Sequence, residues 1–184
     1  MTFTGKQLTT QLDADGTLTL QLNDKTWDAP KAGQVLIKVE ATPINPSDLG
    51  LLFASADTDN AVYSPGKVVA QMPANATRAM KARHGLPMPA GNEAAGTVVA
   101  AGEGAEHLLG KRIACVPGTA YADYAYADLT MAFAVDDAVS AEQAASSFVN
   151  PMTALGFTET MKLEGFTGIV HAAAASNLGQ MLVK

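Results

Sequence analysis

The chain has 184 residues, of which 48% are hydrophobic and 16% are charged, so it can form one core and part of a second domain. The formal net charge is −6 at pH 7 and the basic residues are scattered, so we expect no nucleic-acid partner. The single cysteine, Cys115, excludes an internal disulfide and a cysteine-rich zinc site. Because the sequence has neither a signal-peptide pattern nor an apolar run of about 18 residues, we expect a cytoplasmic protein without membrane contact.

The N-terminal part of the chain predicts β structure. Leu18, Leu20 and Leu22 alternate with polar side chains, which is the period of a half-buried strand. Residues 34–41 are rich in branched side chains and predict a second strand. Two prolines then predict an irregular, braced loop over residues 43–48.

Residues 54–90 have a different composition, rich in Ala, Pro and Asn and poor in branched residues. Asn75 suits a helix N-cap, and Gly85 suits a helix stop. We therefore expect a mobile surface excursion with one short helix over residues 76–84, because the segment has little apolar area to offset the cost of ordering it.

Strand patterns return after this segment. Residues 96–102 and 111–116 flank a Gly-rich turn, and residues 121–126 alternate as an antiparallel strand with one solvated face does.

From Ser140 onwards the pattern becomes helical. Ser140 and Gln143 form a capping box ahead of a first short helix. Pro151 is expected to interrupt the helical stretch, and a second helix is expected from about Thr153 to Leu163.

Residues 165–184 combine an apolar run, small residues and the start of a helical spacing. The apolar run extends from Ile169 to Ala172, and the helical spacing begins at Leu178. A strand, a tight turn and a helix start open a dinucleotide-binding fold, in which backbone N–H groups at the helix start hold a pyrophosphate. We therefore expect the front part of a larger enzyme, cut inside its cofactor domain.

Four segments, in order and spacing, resemble the medium-chain dehydrogenase/reductase superfamily. These segments are residues 33–48, 91–99, 147–156 and 174–179. The resemblance implies a mainly β, GroES-like barrel catalytic domain, a helical bridge and the first β–α unit of a truncated Rossmann (α/β) domain. The expected bounds are residues 1–139 with an insertion at 54–90, residues 140–164, and residues 165–184.

The resemblance also indicates a branch of this superfamily that works without zinc. The three positions that hold catalytic zinc in the alcohol dehydrogenases correspond here to Asn45, to Asn92, and to Val149 or Asn150. Amides are poor zinc ligands beside thiolate and imidazole, so we expect no metal site. The chain is instead similar to the NADPH:quinone oxidoreductases and enoyl reductases.

This branch implies hydride transfer from NADPH to a quinone or an activated enone or carbonyl, in a homodimer when the chain is full length. Asn45 is expected beside the nicotinamide or the substrate oxygen, Ser47 as a proton donor, and Asp48 as the third catalytic residue. The alternative for all three is that they only satisfy backbone groups of the loop. NADPH is preferred over NADH by family analogy alone.

The resemblance places two further groups of residues at the cofactor. Asn150 and Thr153 are expected on its nicotinamide side, although Thr153 has the alternative role of a helix cap. Ser176, Asn177, Leu178 and Gly179 form the phosphate-binding turn, in which Ser176 replaces a glycine of the family pattern. His171, which ends the predicted strand, is expected to be a core histidine with satisfied hydrogen bonds.

A second hypothesis is a non-enzymatic GroES-like barrel remnant that acts as a binding or interaction module. For either hypothesis we expect this chain alone to be inactive, because most of the cofactor domain lies beyond residue 184.

Overall fold

The computed structural model of the protein describes residues 1–183. The strands are β1 Phe3–Leu12, β2 Thr17–Trp27, β3 Gln34–Ala41, β4 Asp57–Ser64, β5 Lys67–Gln71, β6 Met88–Pro89, β7 Ala94–Ala101, β8 Arg112–Cys115, β9 Tyr124–Asp128 and β10 Ala132–Ala134. The α-helices are α1 Pro46–Leu52, α2 Ala74–Ala79, α3 Ala141–Ala145, α4 Val149–Leu163 and α5 Asn177–Val183.

The strands form two antiparallel sheets that are joined at one place. The first sheet has the order β4-β5-β2-β1-β6 and the second has the order β10-β8-β7-β3-β9. Between them, Leu8 N–H donates to the Tyr121 carbonyl at 2.8 Å, and Val39 N–H donates to the Asp123 carbonyl at 2.9 Å. The segment before β9 therefore connects both sheets into one mainly β unit.

The first sheet buries one apolar face, whereas the second sheet is buried on both, because α3 packs on Ala95 and Ala114 on the side opposite its main cluster. In the first sheet, Leu12, Leu18 and Leu20 are buried, which confirms the strand predicted around residue 20, but Leu22, the third leucine of the predicted alternation, is 47% exposed. In the second sheet, Val35 and Ile37 are buried in the main cluster together with parts of β7 and β8. The predicted strand at residues 34–41 is confirmed with those bounds.

The prediction for residues 54–90 is wrong in its main point. β4 and β5 form a hairpin that extends the first sheet, since β5 pairs with β2 from Gln71 opposite Thr17 to Lys67 opposite Gln21. Met72 is 3% exposed and belongs to the core. Pairing with β2 supplies the hydrogen bonds and the apolar contacts that the composition of the segment does not suggest. A short helix is present, but it ends earlier than predicted, at Ala79.

Two predictions at helix starts also need correction. The loop predicted over residues 43–48 contains the start of α1, with Asn45 as the N-cap and Pro46 in the first turn. Pro151 does not interrupt a helix, because it lies in the first turn of α4, where backbone N–H groups have no intrahelical acceptor. The capping box at Ser140 is confirmed, with both of its hydrogen bonds present.

At the end of the chain, the predicted strand at residues 169–172 is wrong. Residues 166–171 form no hydrogen-bonded strand, and residues 172–175 form a turn before α5. A parallel strand needs a neighbour, and no strand among residues 1–183 pairs with this segment. None of the helices that the structure describes in residues 1–183 is long and apolar enough to cross a membrane.

Candidate functional site between the barrel and the last helix

The first element of the site is a buried carboxylate at the start of α1. Asp48 is 1% exposed, and its two oxygens accept hydrogen bonds from Asn45 N–H at 2.8 Å and from Asn92 N–H at 3.0 Å. These bonds compensate the cost of burying the carboxylate. Asp48 thereby fastens the loop before α1 to the loop before β7.

The second element is Glu93, which the sequence reasoning missed as a site residue. Its side chain is 1% exposed and accepts hydrogen bonds from Asn45 Nδ2 at 2.9 Å and from Val149 N–H at 2.8 Å. The Val149 N–H lies in the first turn of α4 and has no acceptor within the helix, and the positive end of the helix favours a negatively charged partner. The sequence did contain an indication of this role, because Glu93 is the acidic residue within a stretch, residues 91–99, that consists mostly of small and apolar residues.

Tyr121, which packs against the core of the first sheet, contacts the same loop. Its hydroxyl donates to the Pro43 carbonyl at 3.2 Å. Burial, and then the negative charge of Asp48, raise the pKa of Tyr121 above its ordinary value. The hydroxyl is therefore protonated at neutral pH and serves as a donor.

A cavity of about 350 Å³ lies between this loop and the start of α5. Five of the predicted site residues line it, which brings together three segments that are far apart in the sequence. These five residues are Asn45, Asn150, Ser176, Asn177 and Leu178.

The other predicted site residues lie around this cavity and do not line it. Ser47 is exposed and accepts a hydrogen bond from Asn92 Nδ2 at 2.9 Å. Asp48 is buried and accepts hydrogen bonds from backbone N–H groups, which agrees with the alternative that it satisfies backbone groups of the loop. A catalytic role for either residue stays a prediction.

Thr153 lies on the neighbouring face of α4. Its hydroxyl donates to the Val149 carbonyl at 2.7 Å, one turn earlier in the helix, so the alternative role as a helix cap is wrong. The side chain borders an apolar groove of about 520 Å³, together with Phe157 and Phe166. Its contact with a cofactor stays a prediction.

The turn before α5 is compact, and two residues account for its shape. Gly179 is buried, and a Cβ atom there would lie 2.4 Å from the Ala174 carbonyl oxygen, so only glycine fits. Ser176 Oγ accepts a hydrogen bond from Gly179 N–H at 3.1 Å, which leaves the hydroxyl hydrogen available to a ligand.

His171 also lines the cavity, and the prediction of a satisfied core histidine is wrong. Its Nδ1 is buried without a hydrogen-bond partner among residues 1–183. The ring lies edge-on to Phe157, with a centroid distance of 6.4 Å and an interplanar angle of 86°.

The acidic, histidine and cysteine side chains of residues 1–183 do not converge anywhere in a group of three or more that could hold a metal ion. At the positions that correspond to zinc ligands, the Asn45 amide is bonded to Glu93 and the Asn92 amide is bonded to Ser47.

Comparisons with known proteins agree with this architecture. The alcohol dehydrogenase GroES-like domain family matches residues 31–132. No curated protein sequence matches the chain. Among solved structures, a protein assigned as an NADPH:quinone reductase from Mesorhizobium loti has 27% sequence identity and a TM-score of 0.68, over 98% of this chain and 50% of that one.

Two further structures are similar in fold. A mycobacterial protein in complex with NADPH has 21% identity and a TM-score of 0.62, over 97% of this chain and 47% of that one. The CurK enoyl reductase has 20% identity and a TM-score of 0.64, over 97% of this chain and 50% of that one. The chain therefore spans about half the length of the solved structures that it matches.

The family match covers more than half of the chain, and the matched structures cover 97–98% of it with TM-scores of 0.62–0.68. The predicted fold class is confirmed. The protein belongs to the alcohol dehydrogenase GroES-like domain family within the medium-chain dehydrogenase/reductase superfamily.

Proposed function

We propose that the protein is a zinc-independent oxidoreductase that uses NADPH to reduce a quinone or an activated enone or carbonyl. The observation that carries the proposal is the cavity in which Asn45, from the barrel, meets Asn150 and the turn before α5. The NADPH:quinone reductase and enoyl reductase among the matched structures support the reaction class, and the NADPH complex supports the cofactor.

The residues at the cavity fit a dinucleotide. Gly179 lets the start of α5 pack closely on the Ala174 carbonyl, and Ser176 stands where the family pattern has the glycine that lets the backbone approach the pyrophosphate; its hydroxyl has a free hydrogen to donate. Asn177 and Leu178 would complete the phosphate side, and Asn150 and Thr153 would face the nicotinamide. When bound, the dihydronicotinamide supplies the hydride, while the protein supplies orientation and electrostatics.

In this proposal Asn45 orients the reacting groups, and Glu93 holds Asn45. One amide hydrogen of Asn45 is used by the Glu93 carboxylate at 2.9 Å, and the Asn45 side chain also takes part in the capping box of α1. These contacts fix its rotamer, and neither of them uses the second amide hydrogen. Ser47 is the proposed proton donor to the reduced substrate oxygen, because it lies on the same helix turn as Asn45. Asp48 holds the loop that carries both residues.

The test is to compare Asn45→Ala with Asn75→Ala, an exposed asparagine in the first turn of α2. In a chain with a complete cofactor domain, we expect Asn45→Ala to lower the turnover of NADPH with a quinone at least about tenfold, while the Kd for NADPH changes less. Asn75→Ala should leave both unchanged. Unchanged turnover in Asn45→Ala would make that residue structural, and absence of NADPH binding to the unsubstituted protein would refute the proposed function.

The alternative function, a binding module without enzyme activity, is supported by one feature. α4 has no buried residue, and its apolar groove contains exposed Phe157 and Phe166. NADPH titration distinguishes the two functions, because only the oxidoreductase requires the cofactor to occupy the cavity beside Asn45.

A further inference from the structure

The first sheet carries a polar groove on the face opposite its apolar core. The groove has a volume of about 710 Å³, and side chains of β1 and β2 form most of its lining. It shares no lining residue with the cavity beside Asn45. One face of an antiparallel sheet is commonly polar and solvated, so polarity alone does not mark a binding site. The arrangement of charge around Lys25 is what distinguishes this groove.

Lys25 is a positively charged side chain that the fold holds in place without a negative partner. Its ammonium donates to Gln7 Oε1 at 2.8 Å and lies 5.2 Å from the centre of the Trp27 ring. None of the ion pairs formed within residues 1–183 includes Lys25. Burial lowers the pKa of Lys25, because the ammonium is partly removed from water. A neutral amide and an aromatic ring therefore orient this charge, and neither of them neutralises it.

Gln7 is a buried side chain whose contact with Lys25 is maintained at a cost. Gln7 is 5% exposed, and its Nε2 atom is buried without a hydrogen-bond partner in residues 1–183. A buried donor without a partner lowers the stability of a fold. The backbone of Gln7 is covered on both sides, by Asn23 of β2 and by Ala122, so its surroundings belong to the interior of the two joined sheets. The amide oxygen is thus held in a fixed position to accept from the ammonium.

The carboxylates that line the groove are already used by other groups. Asp24 pairs with Lys6, and Asp13 accepts a hydrogen bond from Gln11 Nε2 at 2.9 Å. Neither aspartate is bonded to Lys25, so both leave its charge without a partner.

The groups that remain unused in the groove include several donors. The Lys25 ammonium has two further hydrogens beyond the one that Gln7 accepts. Thr9 Oγ1 accepts from Asn23 Nδ2 at 2.8 Å, and its own hydrogen is donated to no group among residues 1–183. Lys67 adds a second positive charge to the lining. Such donors suit a ligand with negatively charged oxygen atoms, because charge-assisted hydrogen bonds are the strong ones.

We propose that this groove binds a small molecule through a carboxylate or phosphate group whose oxygen atoms contact the Lys25 ammonium, with Gln7 as the positioning residue. The ligand supplies the negative partner that the fold does not give Lys25. The protein has a net charge of −6, so its overall field repels anions and their binding requires a local site. The inference goes beyond the proposed oxidoreductase function and does not depend on it, since it uses different residues.

The first experiment titrates the ¹⁵N-labelled protein with sodium phosphate and, separately, with sodium succinate, each against sodium chloride at the same ionic strength. We expect at least one of the two probes to give saturable shifts of the backbone amide signals of Gln7, Thr9 and Lys25, and sodium chloride to give none. Saturation with phosphate alone identifies a phosphate ligand, saturation with succinate alone identifies a carboxylate ligand, and saturation with both identifies the shared oxyanion chemistry. Absence of saturable shifts with both probes would overturn the inference.

The second experiment measures the affinity for the active probe in three variants. Lys25→Met keeps an apolar stem over Trp27 without the charge, and Gln7→Glu gives Lys25 a carboxylate from the protein itself. We expect each of these two variants to bind about tenfold more weakly, and Gln7→Glu to keep a Tm within a few degrees of the original protein. Lys31→Met, an equal change of charge at an exposed position outside the groove, should bind as the original protein does.

The variants give three results that would refute the proposed site. If Lys31→Met weakens binding as much as Lys25→Met, the anion is attracted by charge in general and not by the groove. If Lys25→Met binds as tightly as the original protein, its ammonium does not contact the ligand. Unchanged binding in folded Gln7→Glu would have the same meaning, and this variant decides the question where Lys25→Met does not fold.

Discussion

Replacement of Glu93 tests whether this carboxylate holds the loop that carries Asn45 against the start of α4. Its buried carboxylate accepts one hydrogen bond from the Asn45 side chain and one from the first turn of α4. Hydrogen bonds to a charged group contribute about 1.5–3 kcal/mol each, and a donor left buried and unpaired costs about 1–3 kcal/mol. Glu93→Ala leaves both donors unpaired, so we expect the free energy of unfolding to fall by about 3–5 kcal/mol.

Glu93→Gln separates the charge from the shape. The amide keeps one acceptor oxygen but presents N–H hydrogens to the second donor, so one of the two bonds is lost. We expect a loss of about 2 kcal/mol, because removing the buried charge offsets part of the cost. Urea unfolding gives both values, and Glu159→Gln, an exposed change on α4, is the control with an expected effect below about 0.5 kcal/mol.

A double-mutant cycle locates the effect. If Glu93 acts through Asn45, the combined Glu93→Ala and Asn45→Ala variant should lose less stability than the sum of the single variants, with a coupling of about 1–2 kcal/mol. Glu93→Gln within about 0.5 kcal/mol of the original protein, or a coupling near zero, would refute the argument that this carboxylate fastens the loop.

The remaining predictions concern alkaline pH, the thiol, the hairpin and the cofactor. Burial raises the pKa of Tyr121 in the folded protein. The stability that the protonated hydroxyl contributes is therefore complete below the unfolded-state pKa and is lost as the pH rises towards the folded-state pKa. In Tyr121→Phe, the fall in Tm at alkaline pH should be smaller than in the original protein. Burial raises the pKa of Cys115 to about 12, so a thiol reagent should modify the folded protein only as fast as it unfolds, and rapid modification at neutral pH would contradict the burial. Deletion of residues 57–83 should destabilise the fold by more than about 2 kcal/mol, because Met72 is lost from the core, and a deletion variant with unchanged urea midpoint would refute this. In calorimetry, we expect residues 1–184 by themselves to bind NADPH about 10²-fold more weakly than a reductase with the full length of the matched structures, because these residues cover about half of that length and the loss of two contacts at about 1.4 kcal/mol each gives such a factor; a low-micromolar Kd would disprove it.

The sequence predicts best the elements whose signal is local. Residues 34–41 are rich in branched side chains, and the strand has the predicted bounds. β5 was missed because its short run of branched residues becomes a strand only when it pairs with β2, which lies about 50 positions earlier. At the C-terminal end, the apolar run at residues 169–172 predicted a strand that the structure does not have, because no strand among residues 1–183 lies beside it to pair with.

The site shows the same division. The order of the family segments predicted that Asn45, Asn150 and the turn before α5 belong to one site, and they line one cavity. Glu93 could not be predicted in this way, because its bonding partners lie 48 and 56 positions away in the sequence. His171 was misread because an apolar neighbourhood in the sequence predicts burial but does not tell whether a buried nitrogen finds a partner.

The two sides of the cavity are held in different ways, and this difference has a consequence for ligand binding. On the barrel side, Asp48 and Glu93 join the loop before α1, the loop before β7 and the first turn of α4 through four hydrogen bonds of 2.8–3.0 Å. On the other side, the turn before α5 is held mainly by its own hydrogen bonds, and the His171 nitrogen is left unpaired. A ligand that contacts both sides therefore meets an Asn45 whose position is already fixed before binding, so little of its binding energy is used to order the barrel side of the cavity.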